Sequence, residues 1–138
     1  MSKELNRVQV KPKYSEIKIK PGENIEKQAQ KWIEHQKERE DSYITDFFQG
    51  QNMTEIKCMK WKNASYSFDT TMFLHLEISG NTRKTMDELI ENISKPETID
   101  DFKCSKWKKE TKHTKINYVY SPPKILIIHM KRFEIGYC

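Results

Sequence analysis

An α+β fold is predicted for this chain by a change of hydrophobic period along it: apolar residues recur at helical spacing in separate stretches, and elsewhere they alternate as in strands. Ile25, Ala29, Trp32 and Ile33 form one helical set, and Met86, Leu89, Ile90 and Ile93 another. Leu74-His-Leu-Glu-Ile78 and the series Ile116, Tyr118, Tyr120 alternate, and Ile125 to Met130 is nearly continuously apolar.

Residues 1–24 carry alternating charge and end in Lys20-Pro-Gly-Glu-Asn24, a turn signal, so they read as an extended or loop linker segment ahead of the main body at 25–138. Asn24 is an acceptable N-cap for a helix from Ile25 to about Glu40. Ser42 can cap a second, short helix through Phe48, which Gly50 would close by tolerating positive φ. Beyond Gly50 the pattern is that of strands, first around Met53 to Ile56 and then at Leu74 to Ile78, with a turn at Ser79-Gly-Asn81. Thr85-Met-Asp-Glu88 has the form of a capping box, and Pro96 ends the helix it opens. A polar loop is expected from Glu97 to Asp101, followed by a strand through Ile116, Tyr118 and Tyr120. The run Ile125 to Met130 should be a strand buried on both faces.

At 138 residues with 36% apolar and 11% aromatic side chains, the chain is too rich for wholesale disorder and has room for one globular piece. Charged residues make up 33%, and the mean hydropathy is -0.89, so the core should be thin for the length. A net charge of +5 is compatible with nucleic acid, acidic protein surfaces or anionic lipid, but it is spread along the chain and selects none of them. No apolar run is long enough to cross a bilayer, and Met1-Ser-Lys-Glu-Leu-Asn-Arg7 has no secretory apolar segment, so a cytoplasmic or nuclear protein without a membrane partner is expected. Three cysteines without dense spacing describe no disulfide framework and fit a reducing compartment.

Ser121-Pro-Pro-Lys-Ile-Leu-Ile-Ile-His-Met-Lys-Arg-Phe133 resembles the "PP-x-L-x-x-H-L-K-R-F" strand of the ubiquitin-specific proteases. Asp41-Ser-Tyr-Ile-Thr-Asp-Phe-Phe-Gln-Gly-Gln51 is similar to the "S-x-I-x-D-x-F-x-G-Q" segment with which that family enters its fingers region. Trp32, His35, Arg39 and Ser42 resemble its "A-W-x-x-H-x-x-R-x-x-S", and Tyr66-Ser-Phe-Asp69 with Leu74, Leu76 and Ile78 its "T-F-D-P-F-x-x-L-x-L-P-I". Thr70-Thr71 and Glu77 stand where Pro-Phe and Pro are common, which marks a divergent member. The resemblance implies a papain-like thiol protease fragment: antiparallel finger strands, short helices and part of the palm sheet. It implies removal of ubiquitin from proteins by thiol hydrolysis, with ubiquitin or a ubiquitinated protein as partner. The family's catalytic cysteine box would precede Met1 and its histidine box follow Cys138, so residues 1–138 alone should be inactive.

The knuckles Cys58-Met-Lys-Trp-Lys62 and Cys104-Ser-Lys-Trp-Lys108 repeat each other. In the family each commonly carries C-x-x-C, and four thiolates hold a structural zinc. Here Trp61 and Trp107 replace the second cysteines, and an indole N–H is a donor with no lone pair to offer a metal. Cys58 and Cys104 remain where four ligands are needed, and neither His75 nor His113 has knuckle spacing to them, so a metal-free finger and no cofactor are expected. Thiol catalysis needs a cysteine of lowered pKa with a histidine in reach. Cys58 and Cys104 are knuckle residues, Cys138 lacks the family's Gly-Asn-x-Cys setting, and His129 reads as a packed core histidine, so no catalytic residue is expected within the chain.

The resemblance places ubiquitin-facing positions on the finger strands, at Thr54 and Ile56 on one and Tyr66 and Phe68 on the other. A packed strand core is the competing role for Tyr66, Phe68, Tyr118 and Tyr120. Two other functions fit parts of the sequence: a non-catalytic ubiquitin-binding or scaffold protein, and a nucleic-acid binder using the lysine-rich run from Lys103 to Lys115 around Trp107. Charge runs are usually solvated faces, which ranks nucleic acid last.

Overall fold

The computed structural model describes residues 5–17, 23–60, 62–78, 83–103 and 110–132. Helix α1 spans Ile25–Lys37, and Asn24 caps it by accepting the Glu26 N–H. Helix α2 spans Tyr43–Phe48 and opens with a reciprocal box, in which the Ser42 hydroxyl accepts the Thr45 N–H and the Thr45 hydroxyl accepts the Ser42 N–H. The strand β1 (Gly50–Cys58) follows directly.

Gly50 is glycine for a different reason from the one its sequence suggests. The helix already ends at Gln49, whose N–H bonds to the Thr45 carbonyl, and Gly50 is the first residue of β1. A Cβ there would sit 2.8 Å from Pro123 Cδ and 3.0 Å from the Ser121 carbonyl oxygen. Close approach of the returning chain, not positive φ, excludes a side chain.

The strands β2 (Ala64–Thr71), β4 (Glu97–Lys103) and β5 (Glu110–Ser121) join β1 in an antiparallel sheet of order β2-β1-β5-β4. The loop expected at Glu97 to Asp101 is therefore a strand. Its polar residues, including Glu97 opposite Lys115, suit an edge with little to bury, and the register breaks between Ile99 and Phe102.

A smaller parallel pair joins β3 (Phe73–Glu77) to β6 (Ile127–Lys131). Helix α3 (Met86–Ile93), β4 and β5 make up the crossover between them. The capping box is present, with Thr85 N–H donated to the Glu88 carboxylate and Glu88 N–H to the Thr85 hydroxyl. Leu74, Leu76 and Leu89 form the core cluster, with Ile78, Ile93 and Met130 packed against it. The predicted apolar face of α3 is only half used: Leu89 and Ile93 pack, while Met86 and Ile90 are exposed.

The last strand departs further from expectation. Only Met130 on β6 is partly buried; Ile125 and Leu126 are each 46% exposed and Ile127 and Ile128 each 37%. Among the described residues, one strand neighbour, β3, and one small helix cannot cover both faces of this apolar run. His129, expected in the core, is exposed for the same reason.

Residues 5–17 form neither helix nor strand and are docked. Arg7 bridges Asp41 at 2.9 Å and Asp46 at 3.1 Å, and its guanidinium lies 4.3 Å from the Tyr43 ring centre. Buried Asn6 donates to the Arg39 carbonyl and accepts the Asp41 N–H, and Tyr14 meets His35 edge-on. These contacts pin residues 5–17 to the α1–α2 corner.

Candidate functional site

The four-stranded sheet is the surface on which the expected site residues sit, and its register sorts them by face. Met53 lies opposite Phe68 and Tyr118, and Glu55 opposite Tyr66 and Ile116, so these six share one side. Thr54 lies opposite Ser67 and Asn117, and Ile56 opposite Ser65 and Lys115, so these share the other. Tyr66 and Phe68 are thus brought together, as are Thr54 and Ile56, but the two pairs point away from each other. A ligand on one face meets one pair.

The faces differ in chemistry. On the aromatic side Phe68 is 7% exposed and packs edge-to-face on Tyr120, with ring centres 5.4 Å apart. The Tyr118 hydroxyl donates to the Glu55 carboxylate at 3.2 Å. Burial first, then that carboxylate, raises the Tyr118 pKa above its ordinary 10.0. The base of this side is covered by α1, because buried Gln51 donates its amide to the Ala29 carbonyl. A cavity between α1, α2 and β1 is lined by Lys37, Glu40, Asp46, Gln51 and Lys124, and neither cysteine nor histidine is among its lining residues. It holds none of the groups of thiol catalysis.

The Thr54–Ile56 side is polar and open. The Thr54 hydroxyl donates to the Asn117 side-chain oxygen at 3.0 Å, and Ser65 donates to the Ile56 carbonyl. Both residues are half-buried among Ser65, Ser67 and Asn117.

Toward the tip of the same face lies Cys58, 1% exposed, with its thiol 3.4 Å from the Thr111 hydroxyl. Lys62 closes the knuckle at φ 52°, its N–H donated to the Cys58 carbonyl. His113 is the register partner of Cys58, buried, with Nδ1 bonded to the Thr111 carbonyl at 2.7 Å and its ring meeting Phe102 edge-on. Knuckle spacing in sequence did not disclose this neighbour, because the pairing of β1 with β5 is long-range. Trp61, Cys104, Trp107 and Cys138 lie outside the described residues. Among the described residues no group of three His, Cys, Asp or Glu side chains could hold a metal. A closed zinc site needs four ligands, and what is described at this tip supplies one sulfur and one imidazole already engaged with Thr111.

On the parallel pair, His75 and His129 face each other at 3.1 Å between their Nδ1 atoms, on the side of the strands opposite Leu74 and Leu76. Next to them Lys131 bonds Glu77 at 2.9 Å, which holds that carboxyl below its ordinary range. Among the described residues no helix is long and apolar enough to cross a membrane.

The family model of the ubiquitin carboxyl-terminal hydrolases matches residues 22–138. Ubiquitin carboxyl-terminal hydrolase 2 of Gallus gallus is 34% identical over 136 residues, covering 95% of this chain and 38% of that protein. Ubiquitin carboxyl-terminal hydrolase 2 of Homo sapiens is 32% identical over 136 residues, covering 95% of this chain and 22% of that protein. The chain spans less than two fifths of the length of either relative. Among solved structures, the SAGA DUB module Ubp8/Sgf11/Sus1/Sgf73 bound to monoubiquitin aligns with a TM-score of 0.61 at 25% identity, over 68% of this chain and 22% of the matched one. With its antiparallel finger sheet, short helices and partial palm sheet in the order its motifs require, the chain belongs to the ubiquitin carboxyl-terminal hydrolase family.

Proposed function

We propose that this chain is the fingers and part of the palm of a thiol-dependent deubiquitinase, and that its finger sheet grips ubiquitin while cysteine and histidine boxes outside residues 1–138 carry out the hydrolysis. The observation that carries this reading is the family match across residues 22–138 on a sheet with one open polar face. The similarity to a module solved with monoubiquitin supports ubiquitin as the partner. Residues 1–24 serve as the linker into this unit and the fingertip works without zinc. The cytoplasm or nucleus, where ubiquitin conjugates and reduced thiols coexist, is its compartment.

Ubiquitin lies on the Thr54–Ile56 side. The opposite side is covered at its base by α1 and buries Phe68, whereas this side carries the exposed Ser65 and Ser67. Calorimetric titration of monoubiquitin into the polypeptide carrying this chain tests the assignment. Ile56→Lys should weaken binding about ten-fold, equivalent to ~1.4 kcal/mol, and Tyr66→Ser should change it little. The reverse order would move ubiquitin to the aromatic face. Binding that collapses steeply with salt, and is matched by unrelated polyanions, would instead favour a nucleic-acid surface.

A further inference from the structure

We propose that His75 and His129 form a two-imidazole site for a divalent transition-metal ion of the zinc, nickel or copper type. The site lies on the face of the palm strands turned away from the Leu74–Leu76–Leu89 core. It is separate from the fingertip cysteines and goes beyond the deubiquitinase reading.

The two histidines are register partners in adjacent parallel strands, so the backbone ladder fixes the spacing of their main chains and brings both rings to one face. Their Nδ1 atoms are 3.1 Å apart, and with metal–nitrogen bonds of about 2.1 Å they would subtend about 95° at a shared ion. That angle lies between tetrahedral and square or octahedral geometry, which suits the ions that imidazole prefers. Both rings are exposed, so an ion has a path in and water can fill the remaining positions. Glu77 and Lys131, next along the same face, neutralise each other at 2.9 Å, so no unpaired cation stands in that position against a bound ion. Without metal one ring donates its Nδ1–H to the other. With metal bound, both rings carry their proton on Nε2 and both Nδ1 lone pairs face the ion. A bound ion would tie β3 to β6, a pair otherwise joined by one short ladder.

The test uses the polypeptide carrying residues 1–138, stripped with a chelator and titrated with Zn²⁺ alone by calorimetry. One ion should bind, and His75→Gln and His129→Gln should each weaken it by about ten-fold or more, as expected when a bidentate pair becomes a single ligand. Cys58→Ser should leave that ion in place. Cu²⁺ loaded into the same protein should show nitrogen superhyperfine splitting from two imidazoles, falling to one in either variant. This spectroscopic count holds even where a substitution perturbs folding, because the unsubstituted protein reports two nitrogens by itself. Absence of Zn²⁺ binding, affinity unchanged by both histidine substitutions, loss of the ion only in Cys58→Ser, or a copper spectrum with fewer than two nitrogens would each overturn the proposal.

Discussion

Tyr118 shows how a single side chain records its surroundings. Its hydroxyl is partly removed from water and donates to the Glu55 carboxylate, and both effects disfavour the phenolate, so its folded pKa stands above the unfolded value near 10.0. With the folded value raised, the stabilising contribution is fully present below that pH and is lost as pH rises through the folded pKa. Absorbance titration at alkaline pH should find one tyrosine ionising late. Glu55→Gln should bring it part of the way back, since burial, the larger cause, is untouched. Lys62 is the opposite kind of residue, held at φ 52° to close the knuckle although a side chain disfavours that conformation. Lys62→Gly should stabilise the protein by about 1 kcal/mol in urea denaturation.

Among the elements, α3 is the one whose loss should matter most. Its capping box fixes where it starts, and Leu89 is the residue it inserts against Leu74 and Leu76. Leu89→Ala should cost about 2–4 kcal/mol in chemical denaturation, because so small a cluster has few side chains able to close the cavity. The box itself was readable from Thr85-Met-Asp-Glu88, since capping is local chemistry. The failure of Met86 and Ile90 to pack was not readable, because periodicity says which residues share a helix face but not how wide a surface awaits it. The same holds for β4, whose polar composition reads as loop and which is a strand only because β5 lies alongside with unpaired backbone groups.

At the scale of the whole molecule, the described residues form two small sheets and three helices around a thin core, with an apolar band at Ile125, Leu126, Ile127 and Ile128 left open to water. An apolar strand paired on one edge and covered on one face is an aggregation template. Residues 1–138 expressed by themselves should aggregate or be retained by a chaperone. A monomer that binds no hydrophobic dye and melts sharply and reversibly would contradict this.

The amino-acid sequence by itself determined the α+β class, the helix starts at Asn24, Ser42 and Thr85, the knuckle at Cys58 and the family, because caps, periods and motifs are local and survive without knowledge of neighbours. Only the tertiary structure decided which finger residues share a face, that Gly50 yields space to Pro123, that Cys58 meets His113, and that His75 meets His129. Apart from the β1–β2 hairpin, these facts depend on contacts between segments about fifty or more residues apart in the chain, which are set by the packing of the whole sheet rather than by any window of sequence.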